Sequence, residues 1–113
     1  MTDENAPDGR VLDRLFATID ERRDADPESS YTAKLLSRGR AKVAQKTGEE
    51  AVEAVIAATS QEPADVASES ADLLYHLLVL WAECGVDPDQ VWQELDRRTG
   101  TSGITEKKAR KHT

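Results

Sequence analysis

Apolar residues recur along most of the chain at helical rather than alternating spacing. Val11, Leu12, Leu15, Phe16 and Ile19 fall three or four residues apart, which predicts a first helix from Gly9 to about Arg23, ended by Asp24-Ala-Asp-Pro27. Ser30 or Thr32 is placed to cap a short helix running toward Arg38, and Gly39 stands where that helix breaks before a longer one through Thr59. Glu62-Pro63 opens the next helix, since proline suits a first turn; it runs to Glu83, with Gly85 as its terminator. Asp87-Pro88 opens a last helix to about Arg97, with Val91, Trp92 and Leu95 as its apolar stripe. These elements predict an all-α chain, a helical bundle with short loops. Its expected divisions are a disordered N-terminus at 1–8, a helical domain at 9–98 and a basic, mobile tail at 99–113.

Composition narrows the picture. The 113 residues suffice for one domain with a thin core. A hydrophobic share of 38% beside 33% charged residues suits long amphipathic helices that finish their burial against a partner subunit. With only 4% aromatic residues and scattered β-branched ones, a sheet is hard to build. The longest apolar run, residues 77–82, is far too short to span a bilayer, so no membrane partner is expected. A single cysteine, Cys84, excludes an internal disulfide; with a polar, acidic first segment it fits a cytoplasmic protein. Such a lone thiol is commonly a small buried hydrophobe, and no function is assigned to it.

The net charge of −7 argues against nucleic acid as the main partner, and its distribution says more. Residues 34–46 carry five basic side chains and no acidic one, whereas 47–96 carry twelve acidic side chains and neither lysine nor arginine. Within that acidic stretch Glu50 and Glu53 lie three apart, as do Glu69 and Asp72. Three-residue spacing puts each pair on one helical face, where like charges repel unless a cation lies between them. The two helices meet through a loop near residues 60–63 and so pack antiparallel, which lets all four carboxylates converge. A cluster of hard oxygens suits Mg²⁺, which keeps waters for a phosphate substrate. Glu49 extends the cluster as a fifth ligand or as the base that activates water.

A single glutamate pair is usually a solvated face. Here Glu53 projects beside the apolar stripe of Val52, Val55, Ile56 and Thr59, and Asp72 begins a segment apolar enough to be buried on most sides. A metal, Arg97 or Arg98, or a second subunit can supply the missing positive charge. Lys34, Arg38, Lys42 and Lys46 recur every four residues and lead into Glu50, a row able to hold the phosphates of a polyphosphate or simply to face solvent. His76, one turn beyond Asp72, reads as a satisfied core histidine before a ligand-orienting one. Tyr75, Trp81 and Trp92 read as packing residues. Phosphate-binding glycine loops and zinc-ligand spacings are missing.

The pattern Glu50-x-x-Glu53, fifteen residues, then Glu69-x-x-Asp72 resembles the metal signature of the all-α, MazG-like nucleoside-triphosphate pyrophosphatases. Three longer words resemble phosphoribosyl-ATP pyrophosphohydrolases more closely: Ser30-Tyr-Thr-Ala-Lys-Leu-Leu36, Lys42-Val-Ala-Gln-Lys-Thr-Gly-Glu-Glu-Ala-Val-Glu53 and Ala71-Asp-Leu-Leu-Tyr-His-Leu-Leu-Val-Leu80. The segment Arg97-Arg-Thr-Gly-Thr-Ser-Gly-Ile-Thr-Glu-Lys107 shares the likeness. The resemblance implies a homodimeric four-helix-type core and hydrolysis of phosphoribosyl-ATP to phosphoribosyl-AMP and pyrophosphate, the second step of histidine biosynthesis. It implies Glu50, Glu53, Glu69 and Asp72 as Mg²⁺ ligands, Glu49 as a further ligand or water-positioning group, and Lys42 and Lys46 as phosphate contacts. Two other classes stay open at this point: a housekeeping pyrophosphatase of common nucleotides, and a non-catalytic helical module with an acidic binding face.

Overall fold

The computed structural model describes residues 6–100 and Arg110. Among these the chain forms five α-helices, α1 (Arg10–Glu21), α2 (Tyr31–Ser37), α3 (Arg40–Ser60), α4 (Pro63–Cys84) and α5 (Pro88–Arg98), with a 3-10 turn at Arg22–Asp24 and no strand. The all-α expectation holds. No helix among the described residues is long and apolar enough to cross a membrane. The segments expected at either end lie mostly outside the described residues, namely 1–5 and, Arg110 apart, 101–113.

Local chemistry sets the boundaries. Ser30 rather than Thr32 caps α2: its backbone is extended, and its hydroxyl accepts from the Ala33 amide at 3.1 Å. Ser30→Ala is expected to lower unfolding stability by about 1 kcal/mol, read as a shifted denaturant midpoint at unchanged slope. Gly39, at φ +89°, turns the chain between α2 and α3, a conformation open to glycine at little cost. Pro63 occupies the first turn of α4, where Glu62 and Asp65 form a reciprocal capping box. Gly85, at φ +72°, ends that helix, and the Val86 amide donates back to the Trp81 carbonyl at 2.9 Å. The last turn of α4 is held from two sides. Arg23 donates to the Ala82 carbonyl at 2.7 Å and Arg40 to the Glu83 carbonyl at 3.3 Å, satisfying groups that a helix end leaves without intrahelical partners.

Only Gln61 and Glu62 separate α3 from α4, so the pair folds as an antiparallel hairpin. Its cross-links follow that register. Arg40 meets Glu83, Thr47 donates to the His76 carbonyl at 3.3 Å, and Glu50 faces Glu69 and Asp72 further along. Helices α1 and α2 cover the hairpin at the end away from its loop. There Ile19, Leu35, Val43, Leu78, Val79 and Ala82 form the buried core, ringed by Leu12, Leu15, Phe16, Leu36, Tyr75, Leu80 and Trp81. The Trp81 and Trp92 rings meet edge to face at 5.8 Å, and the Trp92 indole N–H donates to Asp13 at 3.0 Å, which docks α5 on the bundle.

Toward the loop the hairpin is bare among the described residues. Val52, Val55 and Ile56 of α3 are 57, 63 and 44% exposed, and Leu74 of α4 is 42% exposed. Asp72 also lies exposed, not enclosed on most sides as its apolar surroundings in sequence imply. Cys84 is exposed at the last residue of α4 rather than buried.

Candidate active site

Each carboxylate is placed by helical periodicity and the hairpin register. Glu50, on α3, and Glu69 and Asp72, on α4, bring one carboxylate oxygen each within 4.8 Å of one another. Glu50 and Glu69 are partly buried, whereas Asp72 is open to solvent. Partial burial raises the Glu69 carboxyl above its usual pKa, and the charges of Asp72, Glu53 and Glu50 add to the rise. Glu53, one turn along α3 from Glu50, is therefore close enough to be felt at Glu69, although its side chain stands exposed on the bare end of the hairpin.

The residues present fit a divalent cation. Three hard oxygen donors from two rigid helices crowd together, and desolvation first, then the neighbouring carboxylates, penalise the Glu69 charge in a way that a cation offsets. A carboxyl whose folded pKa is raised stabilises the fold fully below its ordinary pKa and loses that contribution as pH rises through the raised value. Metal-free protein at neutral pH therefore carries Glu69 as a cost. Two results are expected from melting curves at neutral pH: Glu69→Gln melts above wild type in EDTA, and MgCl2 raises the wild-type melting temperature more than NaCl of equal ionic strength. Equal melting of variant and wild type in EDTA, with no Mg²⁺ increment, would remove Glu69 from a cation site.

Glu49 is turned differently. Gln45 donates to it at 3.0 Å and Lys46 pairs with it at 3.3 Å; the Gln45 hydrogen bond and then Lys46 lower its pKa. The same pair raises the Lys46 ammonium. Glu49 thus occupies the lysine side of α3, outside the group of three. Lys42 and Lys46, partly buried, share α3 with Glu50, whereas Lys34 and Arg38 are exposed on and just after α2. The turn at Gly39 divides the basic row, so its regular spacing does not make one continuous helical stripe. Arg97 and Arg98 both engage Glu94, which Arg97 above all holds down to about 2.

His76 is 6% exposed and satisfied, as its apolar surroundings predicted. Its Nδ1 bonds the Asp72 carbonyl at 2.8 Å and its Nε2 the Tyr31 hydroxyl at 3.1 Å. Tyr75 likewise reaches Thr32 through its hydroxyl. The link from α2 to His76 was not foreseen; Tyr31 lies 45 residues from His76, and no local periodicity signals such a pair.

An all-helical hairpin that gathers carboxylates beside lysines is an arrangement suited to a cation and a phosphate substrate. Comparison with known proteins identifies the family. The sequence profile of the phosphoribosyl-ATP pyrophosphohydrolase family matches residues 12–99. A phosphoribosyl-ATP pyrophosphatase of Paramagnetospirillum magneticum is 61% identical over 105 residues, 93% of this chain and 96% of its own. That of Azospirillum brasilense is 65% identical over 101 residues, 89% of this chain and 91% of its own. That of Parvibaculum lavamentivorans is 60% identical over 105 residues, 93% and 96% respectively. The chain belongs to the phosphoribosyl-ATP pyrophosphohydrolase family.

Proposed function

We infer that this chain hydrolyses phosphoribosyl-ATP to phosphoribosyl-AMP and pyrophosphate, the second step of histidine biosynthesis, as a Mg²⁺-dependent cytoplasmic homodimer. The family match over residues 12–99 carries the reaction, and the convergence of Glu50, Glu69 and Asp72 supports it chemically. The catalytic unit is the helical domain at 9–98. Glu50, Glu69 and Asp72 would hold the cation, with Glu53 as a further ligand from the next turn of α3. When bound, Mg²⁺ supplies a Lewis acid that offsets triphosphate charge and eases ionisation of water.

The remaining work falls to the chain's own groups. Lys42 and Lys46 bind the phosphates, and Lys34 and Arg38 attract them from α2. Glu49 holds the Lys46 ammonium in place and helps position the attacking water. Water adds as the bridge between the α and β phosphates breaks, and the bonding pair leaves on pyrophosphate, whose charge the lysines offset. The water's proton passes to a carboxylate of the cluster. Homodimerisation is supported by the exposed Val52, Val55, Ile56 and Leu74, which adjoin the carboxylates.

The test is pyrophosphate release from phosphoribosyl-ATP with and without Mg²⁺, beside ATP, dUTP and dCTP. Fast, metal-dependent release from phosphoribosyl-ATP alone is expected. Release from the common nucleotides instead would keep the cluster and overturn the pathway; no release from any of the four would overturn the hydrolase.

A further inference from the structure

His76 fixes more than its own position. A backbone carbonyl can only accept, so Nδ1, at 2.8 Å from the Asp72 carbonyl, must carry the proton. In the neutral ring Nε2 is then a bare acceptor, and the Tyr31 hydroxyl at 3.1 Å must donate to it. The Tyr31 oxygen is left with its lone pairs alone: toward anything else it acts as an acceptor. The imidazole that imposes this polarity is buried, and a Thr47 hydroxyl bonded to the His76 carbonyl holds the same turn of α4.

The placement of Tyr31 is as informative. Its ring is backed by Tyr75, with centroids at 6.2 Å, and by His76, edge-on at 6.0 Å, yet the residue is 53% exposed. An aromatic side chain locked at its hydroxyl and open on its flank offers that flank to a ligand. A recess of about 540 Å³, bounded in part by Pro27, Ser29 and Lys34, opens beside it. On the inner side the chain of bonds from the hydroxyl through His76 ends at the backbone carbonyl of Asp72, whose side chain belongs to the group of three carboxylates. Lys46, paired with Glu49, lies within electrostatic reach of Tyr31.

We propose that Tyr31 is a substrate-contacting residue whose oxygen, polarised by His76, accepts a hydrogen bond from a sugar hydroxyl of the nucleotide. His76 acts through it as a positioning residue. This contact rests on the substrate assignment above and adds to it a part of the site that reads the sugar rather than the phosphates.

Tyr31→Phe keeps the half-exposed ring and removes only the oxygen, so the folded protein can be compared directly. Loss of one neutral hydrogen bond is expected to raise KM for phosphoribosyl-ATP, and Kd for phosphoribosyl-AMP in the absence of turnover, each about fivefold. The variant's kcat should stay within about twofold of wild type and its affinity for pyrophosphate should be unchanged, because the contact is to the sugar and is present before and during reaction. Wild-type KM and Kd in the variant would overturn the proposal. Equal weakening of pyrophosphate binding would also overturn it, since Tyr31 would then act through Lys46. Failure of wild-type protein to release pyrophosphate from phosphoribosyl-ATP would instead overturn the substrate assignment.

Discussion

Asp72→Asn is expected to cut Mg²⁺-dependent pyrophosphate release by roughly 100- to 1,000-fold while leaving the helical content of the protein unchanged. Asp72 is exposed, so its own side chain contributes little packing, and the bond that fixes His76 comes from its backbone carbonyl, which the substitution keeps. What changes is one charge among three oxygens within 4.8 Å. An amide is a poorer ligand for a hard cation than a carboxylate, and it removes negative charge that the cation would offset. The variant should therefore separate chemistry from folding: circular dichroism stays close to wild type and melting in EDTA is equal or higher, since one charge facing Glu69 is gone, while turnover at saturating substrate collapses. Turnover within a factor of a few of wild type, at unchanged Mg²⁺ dependence, would take Asp72 out of the site.

The second large effect concerns assembly. Val55 is 63% exposed in the single chain and stands on the same bare flank as Val52 and Ile56. Burying the exposed part of several such side chains is worth about 1 kcal/mol each, a gain that two copies of the flank double toward the cost of association. Val55→Asp would place a charge in that seam. Sedimentation is expected to show a dimer for wild type and a monomer for the variant, and pyrophosphate release should fall with the dimer because Glu53 and Glu69 border the same flank. A wild-type monomer with full activity would refute the dimer, and a variant that remains dimeric would move the interface elsewhere.

The sequence disclosed what short-range physics controls. Pro63, Pro88, Gly85 and Ser30 act within a turn of where they stand, so their helices begin and end almost where they were expected. The meeting of Glu50 with Glu69 and Asp72 was legible for a related reason: two three-residue spacings and a short loop leave an antiparallel hairpin little freedom. Features that depend on a third body were less legible. Val52, Val55 and Ile56 form an apolar stripe at helical spacing, but periodicity does not say whether the covering surface belongs to the same chain. The basic row keeps its four-residue spacing across Gly39, and spacing alone does not say how the turn there orients Lys34 and Arg38 relative to Lys42 and Lys46. Glu49 and Glu50 are neighbours in sequence yet differ by about 100° around the helix, which sends one toward Lys46 and the other toward Glu69. The bond from Tyr31 to His76 arises only from folding, and cysteine's usual preference for burial did not anticipate an exposed Cys84 at a helix end.

The two arginines at the end of α4 have a consequence for how this protein can drift. Arg23 and Arg40 grip the carbonyls of residues 82 and 83, not their side chains. Every amino acid offers the same carbonyl, so for this grip the identity of Glu83 is immaterial as long as the backbone stays helical. The residue-specific part of this grip is held by the guanidinium groups. Relatives are free to accumulate substitutions on the outer surface of that turn, while replacement of either arginine leaves a helix end to find new partners.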